Sequence, residues 1–135
     1  MSGLFSKIAT VVRLYRQRRT TPLRLEINLT QACNLNCCGC THYSPLAPAD
    51  DAVEPGVVER TLRHLSQVKG INKVEHLYLI GGETLLYPHL EDVIAQVRRY
   101  FPVTPISLFT NGIMLPRMKD SFWQACQQYL SLKNN

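Results

Sequence analysis

Short apolar runs alternating with stripes of apolar residues at helical spacing constrain this chain more than any other feature. Leu23, Leu25, Ile27 and Leu29 alternate with Arg24, Glu26, Asn28 and Thr30, a period of two that predicts a first strand. Val58, Thr61, Leu62, Leu65 and Val68 then predict a helix ending near Gly70. His76 to Ile80 is a nearly all-apolar run closed by Gly81-Gly82, as expected of a strand buried on both faces. Pro88 suits the first turn of the next helix, whose stripe is Leu90, Val93, Ile94 and Val97. Pro102 and Pro105 frame the way to a third strand, Ile106 to Thr110, ended by Asn111-Gly112. Met118, Phe122, Ala125, Cys126 and Tyr129 mark a last helix. Strands separated by helices pair in parallel through right-handed crossovers. The expected class is α/β, with about three parallel βα units.

The N-terminal segment stands apart. Leu4, Phe5, Ile8, Val11, Val12 and Tyr15 recur at helical spacing, which predicts an amphipathic helix over Gly3 to Arg18 before the break at Thr21-Pro22. The expected division is residues 1–20, a basic amphipathic helix, and 21–135, the α/β domain. The formal charge of +5 is concentrated here, because the first 24 residues carry six bases and no acid. The remainder holds nine bases against ten acids, which argues against a nucleic-acid-binding face on the domain. No run approaches the ~18 apolar residues of a membrane span, and no secretory signal is visible, so the expected compartment is the cytoplasm.

The chemistry is concentrated after the first strand. Cys33, Cys37 and Cys40 stand at C-x3-C-x2-C in the run CNLNCCGC, with Cys38 between them. Near-adjacent thiols rarely meet disulfide geometry, and soft thiolates at this density suit iron–sulfur clusters or zinc. A closed structural zinc site takes about four ligands. Three thiolates on an iron–sulfur cluster would instead leave one metal corner free for a small molecule. Gly81, Gly82 and Glu83 end the second strand, where glycines permit close backbone approach and the carboxylate is an anionic acceptor. Thr110, Asn111 and Gly112 end the third. All of these lie at the C-terminal edge of a parallel sheet, where such folds bind ligands.

In these residues the chain resembles the radical S-adenosylmethionine superfamily, across roughly Leu23 to Trp123. The resemblance implies a partial (β/α) barrel and a [4Fe-4S] cluster held by Cys33, Cys37 and Cys40. It further implies S-adenosylmethionine chelated to the open iron and cleaved reductively to a 5′-deoxyadenosyl radical. Gly81, Gly82 and Glu83 would meet the methionine end of that cosubstrate, with Thr84 in place of the usual proline, and Asn111 would face it. An electron donor such as flavodoxin or ferredoxin is implied as a partner. Gly39 departs from the family, which places an aromatic residue before the third cysteine; His42 or Tyr43 is expected to replace that contact.

The family core holds about six βα units, so a truncated or partial enzyme is expected, with the third strand's edge unpaired or covered by a partner chain. Two other readings stand beside it. One is a non-catalytic cluster-binding remnant or subunit. The other is a zinc-binding interaction module that uses the three cysteines with Cys38 or His42. No residue identifies the substrate.

Overall fold

The computed structural model describes residues 23–48, 51–68 and 74–134, with 127–134 described by their backbone alone. The helix expected over Gly3 to Arg18, and with it the proposed 1–20 segment, lies outside the described residues. Four strands form one parallel sheet in chain order: β1 (Leu23–Asn28), β2 (Val74–Ile80), β3 (Ile106–Thr110) and β4 (Leu130–Asn134). Three helices connect them: α1 (Pro55–Gln67), α2 (Leu90–Tyr100) and α3 (Asp120–Tyr129). The α/β class and the expected run of parallel βα units are observed.

β4 corrects the expectation that the third strand ends with an unpaired edge. Leu130 to Asn134 pairs in parallel along the whole of β3, Ile106 against Leu130 through Thr110 against Asn134. A strand edge is a row of unmet N–H and C=O groups, and a short run of alternating residues is enough to satisfy it.

The helix stripes pack on one face of the sheet. Val58 and Leu62 from α1, Leu90, Val93, Ile94 and Val97 from α2, and Phe122 from α3 form one buried cluster with Leu77 and Leu79 of β2 and Ile106 and Leu108 of β3. Each fully buried aliphatic side chain there contributes about 2 kcal/mol. The opposite face of β2 is not sealed in the same way. His76, Tyr78 and Ile80 are only half-buried, so the expectation of a strand buried on both faces holds for one face alone. That second face carries a polar and aromatic row: the His76 and Tyr78 rings stack at 4.4 Å, and His76 Nε2 lies 2.7 Å from Ser107 Oγ. β1 alternates as expected, with Leu25 and Ile27 against the core and Arg24, Glu26 and Asn28 exposed.

The element ends follow local chemistry. Pro55 occupies the first turn of α1, where its missing N–H costs nothing. α2 begins at Leu90 with His89 as its N-cap, so Pro88 precedes the helix and does not open it. Glu91 and Asp92 sit in the first turn of α2, and Arg98 and Arg99 in the last, the arrangement the helix dipole favours. Arg98 donates to the Thr104 carbonyl at 2.6 Å and the Pro102 carbonyl at 3.3 Å, tying the loop to the helix end.

On the outer surface, Glu59 of α1 accepts hydrogen bonds from Tyr100 (3.1 Å), Arg63 (3.2 Å) and Arg99 (3.2 Å), joining α1 to α2. These donors, Tyr100 foremost and then Arg63, hold the Glu59 carboxyl below its ordinary value. A carboxyl with a lower pKa folded than unfolded stabilises the fold above the unfolded value. That contribution is lost as the pH falls through the folded value. Glu59→Gln is therefore expected to lower the urea midpoint slightly at pH 7 and to leave it unchanged near pH 2. Equal losses at both pH values would show that the charge is not involved.

Candidate metal and cosubstrate site

The loop after β1 is stapled at its base before it reaches the cysteines. Thr30 pairs with Ala52 in an antiparallel bridge, and Gln31 N–H donates to the Asp51 carbonyl at 2.9 Å. Gly82 N–H donates to Thr30 O and Glu83 N–H to Ala32 O, both at 2.8 Å. The loop stem thus runs on as an extension of the β1–β2 ladder. This explains the paired glycines. A Cβ at Gly81 would lie 2.6 Å from Thr30 O, and one at Gly82 would lie 2.5 Å from both Gln31 O and Ala32 O. The backbone that approaches these glycines is the stem of the cysteine loop itself.

Beyond the stem, a cavity of about 240 Å³ is lined by Cys33, Cys37 and Cys40, by Thr41 and His42, and by Gly82 and Asn111 from the next two strand ends. The three cysteines singled out by spacing share this one space, and Cys38, exposed, is not on its wall. Gly39, before the third cysteine, has φ +76°, a backbone conformation an aromatic side chain would occupy only under strain. Of the two candidates for the missing aromatic contact, His42 is on the wall. Tyr43 is turned out, with its residue 70% exposed.

The thiols differ in environment. Backbone N–H groups, that of Ser44 first and that of His42 next, hold the Cys40 thiol below its ordinary value and so favour the thiolate. Leu35 N–H points at Cys33 Sγ from 3.4 Å. Burial alone pushes the Cys126 thiol up, and Cys126 packs against the core of the helix layer, as its place on the stripe predicts.

Glu83 lies beneath the cavity wall and is fully buried. Its Oε1 accepts from Leu85 N–H at 2.9 Å and Thr110 Oγ1–H at 2.7 Å, and its Oε2 accepts from Asn111 N–H at 2.8 Å. A carboxylate has about four acceptor directions, so one remains, on Oε2. Thr110 Oγ1 in turn accepts Gly112 N–H at 3.0 Å. The Gly-Gly-Glu and Thr-Asn-Gly segments are therefore one hydrogen-bonded unit. Patterns along the chain give them as two separate segments, and do not single out Asn34, which bonds the Asn111 side chain.

The donor set fits a cluster: Cys33, Cys37 and Cys40 all line one shared cavity. Spaced thiolates around a volume suit a cage of several metal atoms. No helix among the described residues is long and apolar enough to cross a membrane.

Known proteins are similar to this chain in sequence and in fold. Molybdenum cofactor biosynthesis protein 1 of Bos taurus is 36% identical over 96 residues, 70% of this chain and 14% of that protein. GTP 3′,8-cyclase of Mycolicibacterium smegmatis is 36% identical over 103 residues, 75% of this chain and 28% of that protein. The match therefore spans less than a third of the length of these relatives. The crystal structure of BtrN in an open conformation superimposes with a TM-score of 0.62 at 15% identity, covering 86% of this chain and 57% of BtrN. Residues 27–133, which include the C-terminal ends of β1, β2 and β3, match the Radical SAM superfamily. The chain belongs to that superfamily, whose proteins bind a [4Fe-4S] cluster and S-adenosylmethionine.

Proposed function

We propose that Cys33, Cys37 and Cys40 hold a [4Fe-4S] cluster in this chain, and that Gly81, Gly82, Glu83 and Asn111 form the edge on which S-adenosylmethionine is oriented. The observation that carries this reading is the shared cavity. Three thiols from one loop meet Gly82 and Asn111 from two other strand ends in a single space.

Held by Cys33, Cys37 and Cys40, such a cluster would supply the electron for reductive cleavage of the cosubstrate sulfonium. The chain's own residues prepare that site. The loop amides around Ser44 stabilise Cys40 as thiolate, the form that binds metal. Gly82 presents bare backbone on the cavity wall. Glu83 works from below: by accepting Asn111 N–H it fixes where the Asn111 side chain stands.

The radical reaction would further need a substrate and an electron donor such as flavodoxin or ferredoxin. A reducing cytoplasm suits its free thiols.

The test is anaerobic reconstitution. The full chain is expected to turn brown, to carry about four iron and four sulfide per chain, and to lose both when Cys33, Cys37 and Cys40 are all changed to Ser. Reduction in the presence of S-adenosylmethionine is then assayed for 5′-deoxyadenosine. A brown protein that releases none is a cluster-binding subunit without cleavage activity. A colourless protein with one zinc would overturn the proposal.

A further inference from the structure

Between the loop stem and the Cys40 turn, Asn34 to Gly39 are all exposed. Among the described residues, one hydrogen bond ties this stretch to another part of the molecule: Asn111 Nδ2 donates to Asn34 Oδ1 at 2.7 Å, across 77 residues of sequence. The orientation of both amides follows from the surrounding network. Asn111 Oδ1 accepts the Ile113 N–H at 3.0 Å, so its nitrogen must face Asn34, and Asn34 must answer with oxygen. Asn111 cannot drift, because its own N–H is held at 2.8 Å by Glu83, a carboxylate with no exposed surface that also accepts from Leu85 and Thr110. The result is a continuous path from a buried carboxylate at the end of β2, through the first residue after β3, to the residue that follows Cys33. Leu35, the next residue, points its N–H at Cys33 Sγ.

We propose that Asn34 is a positioning residue for the Cys33 arm of the loop, acting as the acceptor through which Glu83 and Asn111 set the place of that cysteine. The proposal rests on the cluster reading of the site, and it gives the first asparagine of CNLNCCGC a part that cysteine spacing does not suggest. What matters is an acceptor atom at residue 34, which separates the idea from simple packing. Asn34→Ala removes the acceptor. Asn34→Asp keeps it, because a carboxylate oxygen can still receive the Asn111 N–H.

Two measurements on the full chain decide it. Hydrogen exchange on the metal-free protein reads the tie directly: Asn34→Ala is expected to speed exchange of the two hydrogen-bonded amides at its ends, Leu35 and Ile113, roughly threefold to tenfold, the worth of one hydrogen bond. After anaerobic reconstitution, the same variant is expected to lose iron to a chelator faster by a comparable factor, and Asn34→Asp is expected to stay near the wild-type value in both. Unchanged exchange in Asn34→Ala would overturn the proposal, as would Asn34→Asp behaving like Asn34→Ala. Faster exchange with unchanged iron loss would also overturn it, because the tie would then have no bearing on the cysteine. If the wild-type chain takes up no iron, the cluster reading fails, and Asn34 as a positioning residue for it fails too, whereas the exchange result still reports whether the tie exists.

Discussion

Gly82→Ala is expected to be among the most damaging single substitutions in this chain, although it adds one methyl group. The new Cβ would stand 2.5 Å from Gln31 O, 2.5 Å from Ala32 O and 2.6 Å from Ser44 Oγ. Two of these are backbone oxygens, and Ala32 O is pinned by its hydrogen bond from Glu83 N–H. Neither can move aside without breaking the ladder that carries the cysteine loop. Overpacking of this kind costs about 3 kcal/mol. The expected outcome is a urea midpoint lower by about 1–2 M, together with loss of iron uptake on reconstitution, because the loop stem must lift off β2. A Gly82→Ala protein with wild-type midpoint and iron content would show that the stem does not seat as described.

Replacing Glu83 should cost about as much for a different reason. Glu83→Gln keeps the shape of the side chain but exchanges one acceptor oxygen for an N–H donor, and every polar group around it is already a donor: Leu85 N–H, Thr110 Oγ1–H and Asn111 N–H. At least one buried donor then faces another donor and loses its partner. Hydrogen bonds to a charged acceptor contribute about 1.5–3 kcal/mol each, and an orphaned buried group adds a similar penalty. A loss of about 2–4 kcal/mol in urea denaturation is expected, with faster hydrogen exchange at Asn111 and Gly112. A loss below about 0.5 kcal/mol, the range of an ordinary surface substitution, would show that the carboxylate does not brace the end of β3. The fall in cosubstrate affinity expected of the same variant would follow from a displaced Asn111 as well as from any lost direct contact.

Most of the scaffold could be read from local patterns. The bounds of β3, the β1 alternation and the four buried positions of α2 all lie where periodicity places them, because side-chain burial repeats with the backbone and needs no knowledge of distant residues. β4 could not be read in this way. It follows α3 without an intervening glycine or proline, and its alternation spans only Leu130 to Lys133 before Asn134. It is a strand because β3 offers an edge, a fact about space and not about five residues. The second face of β2 departs from the expected burial for a related reason. An apolar run states that burial is available, whereas the side on which the helices lie decides which residues receive it.

For the site, residue types and spacing were sufficient to select Cys33, Cys37 and Cys40 and to place two further segments on the same edge of the sheet. Thiolate chemistry and the rule that ligands gather at the C-terminal ends of parallel strands act through composition and order alone. Tertiary structure decided what those segments do to one another. It turned the paired glycines toward the loop stem, set Glu83 beneath the wall as a brace, and joined Asn111 to Asn34. The bonds involved link residues 27, 28 and 77 positions apart. Hydrogen-bond partners at such separations are chosen by where strand ends meet, and no window along the chain contains both members of the pair.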